Sequence, residues 1–327
     1  MKKKKILLLN DTSLICHYGC TLLMNTIYNF FEKKNFIIKD KIYYEENYLK
    51  YIQKINNYDL VLINGEGTIH GKSNSDKSKV NEIIKFISLV KKKYKVPIVI
   101  FNSTIASIQK RHLKILNLVD KIYVREKYSF NYLRQNKVKS TILPDFLSLL
   151  VLKNKKKNKE IIVTDSSKIK TTQKLFGYAN YKNYTYLPIL YNNYLRFFRF
   201  FIIKFALKLK IVFLIEVYLS LKNLHLKNFL KKISKANHVI TGRFHGIFIC
   251  LALMKPFYTF ESDTYKIKGL LEMIGLKKRM INVNNINKLN LYNFNKEELL
   301  KINKFQIKLK KKYNDFIKEI NDLKISK

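Results

Sequence analysis

Two α/β domains, each a parallel sheet with helices on both faces, are predicted by three features of this chain. Short apolar runs alternate with amphipathic stretches along most of its length, and the runs end in loops bearing asparagine, glycine or arginine. The length of 327 residues and the hydrophobic content of 47% suffice for two cores.

In the first half, Ile6 to Asn10, Leu60 to Asn64, Val96 to Asn102 and Lys121 to Val124 have the length and composition of buried parallel strands. Between and after them, Thr21 to Lys34, Lys79 to Lys93, Arg111 to Asp120 and Tyr128 to Gln135 carry apolar residues three and four apart, the helical period. A doubly wound sheet binds ligands at the carboxyl ends of its strands, so function is expected in the loops after Asn10, Asn64, Asn102 and Val124.

Residues 153–160 contain no apolar side chain and read as a linker, which divides the chain into domains over 1–152 and 161–327. Beyond the linker, Ile161 to Val163, Tyr184 to Leu190, His238 to Thr241 and Phe257 to Phe260 are further strands; Phe244 to Met254 and Tyr265 to Ile274 are helices. At the end, Ile302, Phe305, Leu309, Tyr313, Phe316, Ile320 and Leu323 make one stripe on a long lysine-rich helix that packs on the domains.

The stretch 194–224 breaks this pattern, because phenylalanines and isoleucines are interrupted by Arg196, Arg199, Lys204, Lys208 and Lys210. It is too charged for a spanning helix. Two readings stand: a helix lying in the headgroup region of an anionic membrane, or a core helix whose lysines snorkel to the surface.

The formal net charge is +41. The basic residues are 57 lysines against seven arginines, and asparagine, isoleucine and tyrosine are also heavily used, as in an AT-biased coding sequence. No specific nucleic-acid partner is expected, but the excess draws the protein toward anionic membrane surfaces and acidic substrates. Three cysteines, Cys16, Cys20 and Cys250, form no disulfide framework and point to a reducing compartment, the cytoplasm. Cys16, His17 and Cys20 lack a second ligand pair at zinc-like spacing, so no metal site is expected. The apolar run Ile6 to Leu9 is too short for a secretion signal and reads as the first strand.

The chemistry concentrates in four places. In the segment from Val239 to Met254 a strand passes through Gly242 into a helix that opens with Arg243 and His245, so backbone N–H groups, the helix dipole, a guanidinium fork and an imidazole converge as an anion site. The alternative is an arginine paired with Glu261 or Asp263 beside a buried histidine; Lys266 or Lys268 could add charge. The loop after Asn64 holds Gly65, Gly67 and Gly71 around Glu66, Thr68 and His70, placing a carboxylate where a base for a sugar hydroxyl would stand; as the alternative, Glu66 caps the next helix or pairs with a lysine. The loop after Asn10 offers Asp11, His17 and Gly19, with too few glycines for a dinucleotide fingerprint. After Val124, Arg125 either clamps an anion in an interdomain cleft or pairs at the surface with Glu126 or a neighbour; Asp145, after Pro144, caps a turn or acts in chemistry.

Asn64-Gly-Glu-Gly-Thr68, Val124-Arg-Glu126, Pro144-Asp145 and Gly242-Arg-Phe-His-Gly246, in this order, resemble the polysaccharide pyruvyl transferase family over most of the chain, least over residues 177–230. The resemblance implies two facing Rossmann-like domains of the glycosyltransferase-B kind, with the donor between them. It implies pyruvyl transfer from phosphoenolpyruvate onto two hydroxyls of a glycan or lipid-linked glycan in capsule or lipopolysaccharide biosynthesis. The donor is a substrate, with no cofactor, and the place of work is the cytoplasm or the inner face of its membrane. Arg243 and His245, with Gly242, Arg125 and Lys266, would hold the donor; Glu66 would deprotonate the acceptor and His245 donate a proton. Many relatives carry an all-glycine run where this chain has Glu66, and a carboxylate beside an anionic donor repels it unless protonated or aimed at the acceptor. A glycosyltransferase using a nucleotide-activated sugar is therefore the second expectation, and a non-catalytic basic membrane-associated protein the third.

Overall fold

The computed structural model describes residues 3–34, 36–66, 69–71, 78–153, 159–191 and 193–324. They form two compact units, one of Met1–Thr12, Asn25–Phe146 and Lys308–Lys327, the other of Ser13–Met24 and Leu147–Ile307. The two-domain α/β architecture expected from the sequence is thus present, with a long final helix. The units change over at Phe146, and two short segments belong to the unit formed mainly by the other part of the chain. Of the expected linker, residues 154–158 lie outside the described residues.

The first unit holds six parallel strands: β1 (Lys4–Asp11), β2 (Phe36–Tyr43), β3 (Leu60–Asn64), β4 (Ile98–Ser103), β5 (Lys121–Val124) and β6 (Thr141–Ile142), in the order β2-β1-β3-β4-β5-β6. β1, β3 and β4 are almost wholly buried, which is why their sequences read as unbroken apolar runs. β2 lies at the sheet edge and exposes alternate residues, so its lysines and aspartate hid it in the sequence. A 3-10 helical run over Tyr48–Asn57 was likewise unexpected.

Connecting helices are α1 (Tyr18–Glu32), α2 (Lys79–Lys93), α3 (Lys110–Leu116) and α4 (Lys127–Gln135). α2 illustrates why its borders were legible. The Ser78 hydroxyl accepts the Asn81 N–H at 3.3 Å, Glu82 stands in the first turn and Lys91, Lys92 and Lys93 in the last, each sign matched to the helix dipole.

The second unit has β7 (Ile161–Ser166), β8 (Thr185–Tyr186), β9 (His238–Gly242) and β10 (Phe257–Thr259), parallel in the order β10-β9-β7-β8. Its helices are α5 (Ile169–Tyr181), α6 (Asn193–Phe198), α7 (Lys204–Leu209), α8 (Val212–Lys235), α9 (Phe244–Ala252) and α10 (Lys266–Ile274). Residues 13–24 belong here because α8 grips them. Lys222, fully buried, donates Nζ to the Ile15 carbonyl at 2.7 Å and to the Ser13 carbonyl, and its charge lies over the Tyr191 and Tyr218 rings.

α11 (Lys296–Asp322) buries Ile302, Phe305, Leu309, Tyr313, Phe316 and Ile320 of the expected stripe, and Leu323, its last expected member, lies past the helix end and is only partly buried. In the first unit Tyr313 donates its hydroxyl to the Pro144 carbonyl at 2.7 Å, and Phe316 meets the Tyr123 ring edge-on at 4.8 Å.

Candidate active site

In the second unit the strand order reverses about β7, so the switch point lies between β7 and β9. There Ser166 pairs with Gly242. A Cβ on Gly242 would lie 2.4 Å from that of Ser166, and one on Gly246 would lie 2.3 Å from the Thr241 hydroxyl. Both glycines of the Gly242-Arg-Phe-His-Gly246 motif are therefore demanded by close approach: the first lets the strand ends meet, the second lets α9 sit down on β9.

Arg243 is the N-cap residue of α9 and makes no side-chain cap there. Its guanidinium turns to β7, where Asp165 accepts from Nε at 2.8 Å and from Nη2 on the same oxygen. The other oxygen of Asp165 takes the Ile189 N–H at 2.7 Å. Neither Glu261 nor Asp263, the partners expected from sequence if the arginine were purely structural, holds it. Nη1 forms no hydrogen bond to any described residue. One edge of the fork is fixed and the other is available to a ligand, which is how an arginine is pre-organised for a phosphate or carboxylate.

His245, one turn-step further, is buried and meets the His17 ring edge-on at 5.4 Å. Gly19 makes room for it, because a Cβ there would stand 2.3 Å from His245 Nδ1. Burial depresses the His17 pKa well below the ordinary histidine value, and the charges of Arg243, Lys266 and Lys222 depress it further. His17 is a neutral imidazole amid three cations. His17, Cys20 and His245 each offer one atom within 4.8 Å of the others, a spacing that could hold a metal ion. The positive charges of Arg243, Lys266 and Lys222 that act on His17 oppose a cation there.

The first unit repeats the topology: its order reverses about β1, and the switch point lies between β1 and β3. Asparagines link the strand ends there. Asn64 Nδ2 donates to the Asn10 carbonyl at 3.2 Å, Asn102 Nδ2 to Asn64 Oδ1 at 3.1 Å, and Tyr48 to Asn10 Oδ1 at 2.8 Å. Asn10 and Asn102 both have positive φ, turning the chain sharply out of the sheet. Just beyond, Thr12 donates its hydroxyl to Glu66 Oε2 at 2.6 Å, so the two loops meet at the carboxylate. Gly65 is packed against Ser103, and Gly71 against the Ser107 carbonyl, where a Cβ would not fit. His70 bridges to Ala106 through its backbone. Asp11 is buried and accepts the Tyr28 hydroxyl. Gly67 and Thr68 lie outside the described residues.

Arg125 does pair with an acidic neighbour, but the pair is buried and the partner is Asp145, not Glu126: Nη1 donates to Asp145 at 2.9 Å, and Nη2 and Nε to the Thr104 hydroxyl at 2.9 and 3.1 Å. Glu126 caps α4 instead, accepting the Ser129 N–H at 3.0 Å. Sequence reasoning placed Arg243, His245, Gly242 and Lys266 together and His17 apart from them in the loop after Asn10; the structure sets the His17 ring against His245, with Lys266 near enough to act on it. Sequence reasoning missed Asp165 and Lys222. Asp165 carried a signal, a carboxylate at the carboxyl end of an apolar strand; Lys222 was masked by the lysines around it.

The sequence profile of the polysaccharide pyruvyl transferase family matches residues 17–264. No curated protein is similar enough in sequence to be matched. Among solved structures, the chain is similar to a functionally uncharacterized protein from Klebsiella pneumoniae, with 15% identity, TM-score 0.48, and 86% of this chain and 93% of that one covered. It is also similar to a UDP-GlcNAc 2-epimerase from Methanocaldococcus jannaschii, with 10% identity, TM-score 0.44 and 92% of each chain covered. A third is an alpha-glucosyltransferase in complex with UDP and DNA, with 8% identity, TM-score 0.45, and 93% and 90% covered.

Proposed function

We propose, for a chain that belongs to the polysaccharide pyruvyl transferase family and is therefore a transferase, that it moves the pyruvyl group of phosphoenolpyruvate onto two hydroxyls of one sugar. The acceptor is a surface polysaccharide or its lipid-linked precursor, modified at the inner face of the cytoplasmic membrane. The observation that carries this reading is the fork of Arg243, fixed on one edge by Asp165 and uncommitted at Nη1, at the head of α9. Phosphoenolpyruvate presents a phosphate and a carboxylate on one small frame, and a fork, a helix N-terminus and Lys266 supply donors and charge for both.

In this reading an acid, assigned to His245, protonates the methylene carbon of the donor, and the carbon bearing phosphate becomes an oxocarbenium. A sugar hydroxyl attacks it and loses its proton, the phosphate leaves, and the second hydroxyl closes the ketal and loses its own proton. Nearby positive charge stabilises the leaving phosphate. Glu66, poised by the Thr12 hydroxyl, is assigned as the base for an acceptor hydroxyl.

The test is turnover. Phosphoenolpyruvate incubated with the protein and a panel of oligosaccharides releases phosphate in step with an acid-labile ketal on one glycan. Turnover of a nucleotide-activated sugar with no use of phosphoenolpyruvate would replace this reading with glycosyl transfer. No turnover of either, with lipid binding intact, would leave the basic membrane protein.

A further inference from the structure

The segment between β8 and β9 presents an apolar surface that the candidate site does not use. α6, a π-helical turn over Arg199–Ile203 and α7 follow one another without a break. Residues four apart drift round an α-helix in one direction and round a π-turn in the other, so this combination keeps them on one side. One side, with Ile203 and Ala206, is buried. On the other, Phe197, Phe201, Phe205 and Leu209 are each more than half exposed, and the Phe197 and Phe201 rings lie 4.5 Å apart.

The exposed side continues around a tight tip. Lys210 takes a left-handed conformation at φ 57°, and the Ile211 N–H closes on the Ala206 carbonyl at 2.9 Å. α8 then begins with Val212 and Phe213, 60% and 70% exposed. Arg196, Lys204, Lys208 and Lys210 are exposed around these side chains, and no acidic residue occurs from 193 until Glu216. One face of this stretch is core and the other is an exposed aromatic face ringed with cations.

We propose that this helical tip docks on the surface of an anionic lipid bilayer. An exposed apolar face rimmed by polar side chains marks an interaction site. Its cationic ring decides the occupant: a second copy of the face would set like charges against each other, whereas anionic headgroups meet the lysines while the phenyl rings reach the acyl boundary. Among the described residues no helix is long and apolar enough to cross a membrane, so the contact lies in the plane of the interface. The inference does not depend on the transfer chemistry, because lipid binding is measured without donor or acceptor.

Flotation of the full chain with phosphatidylcholine vesicles, with and without phosphatidylglycerol, tests it. The protein is expected to float with the anionic vesicles and to stay behind with the neutral ones. A net charge of +41 alone would draw any face of this protein to anionic lipid, so the deciding variant keeps every charge. Phe197→Ser with Phe201→Ser and Phe205→Ser should weaken anionic-vesicle binding by about tenfold or more, with the far-ultraviolet circular dichroism unchanged. Lys204→Gln with Lys208→Gln and Lys210→Gln should weaken it more than Lys304→Gln with Lys310→Gln and Lys311→Gln, which removes as many exposed charges from α11. Binding that ignores the phenylalanines, or that falls equally with the α11 lysines, overturns the proposal. So does a dimer of the wild type that the phenylalanine variant dissociates. If the triple serine variant unfolds, Phe213→Ser alone carries the test, with about threefold weakening expected.

Discussion

Asp165 holds Arg243 by one edge: a single carboxylate oxygen receives Nε at 2.8 Å together with Nη2, while the other is tied to the Ile189 N–H. β7 thus aims the fork that stands at the head of α9. Replacing Asp165 by Asn keeps the shape and removes the charge that fixes the fork. The KM for phosphoenolpyruvate is expected to rise about tenfold, ~1.4 kcal/mol, and kcat to change less. Steady-state phosphate release measures both; an unchanged KM would mean that the fork needs no brace.

Gly19 is the counterpart of this arrangement on the histidine side. Gly19→Ala drives a methyl group into the His245 ring and should cost about 1–3 kcal/mol of stability as well as most of the activity. Gly177 is the control, because a Cβ there meets nothing within 4 Å in the middle of α5. Gly177→Ala should stabilise the chain by about 0.5–1 kcal/mol. Urea unfolding compares the two, and equal effects would show that the Gly19 contact is soft.

The depressed pKa of His17 makes stability depend on pH. Below the ordinary histidine value the unfolded chain binds a proton that folded His17 refuses, so stability falls as pH falls through about 6.5 toward the folded value. Melting temperatures at about pH 7.5 and about pH 5.5 should differ, and His17→Gln should narrow the gap. A gap of the same width in the variant would place the titration elsewhere.

Arg125 is expected to act through folding. Arg125→Ala leaves Asp145 buried without its cation and should cost about 3–5 kcal/mol, whereas Arg125→Met with Asp145→Leu, which removes both charges, should cost much less. Denaturant midpoints of the single and double variants decide. A folded Arg125→Ala protein of normal stability that had lost only donor affinity would instead restore the clamp expected from sequence.

Much of the fold was legible because buried parallel strands leave a plain signature. The runs ending at Asn10, Asn64 and Asn102 mark the strand ends that the asparagine bonds join, and α2 carries its borders in Ser78 and its charged turns. β2 was missed because Lys39, Asp40 and Lys41 interrupt the apolar run of an edge strand, and α5 because its apolar face is narrow. The residues of the proposed anion site, Gly242, Arg243 and His245, stood out in the sequence because their spacing lies within one helical turn. The site's brace did not, since Asp165 is far away in sequence and only the pairing of β7 with β9 brings it to Arg243. The surroundings of Arg125 were hidden for the same reason: strand-end position alone does not reveal that Thr104 and Asp145 enclose it.

Calorimetric titration of phosphoenolpyruvate into the wild type, Arg243→Lys and Arg125→Met tests the central claim most directly. The account predicts saturable binding that falls by about tenfold or more when the fork becomes a point charge at 243, and that survives the change at 125. Binding to Arg243→Lys as tight as to the wild type, or no binding to the wild type, would contradict it.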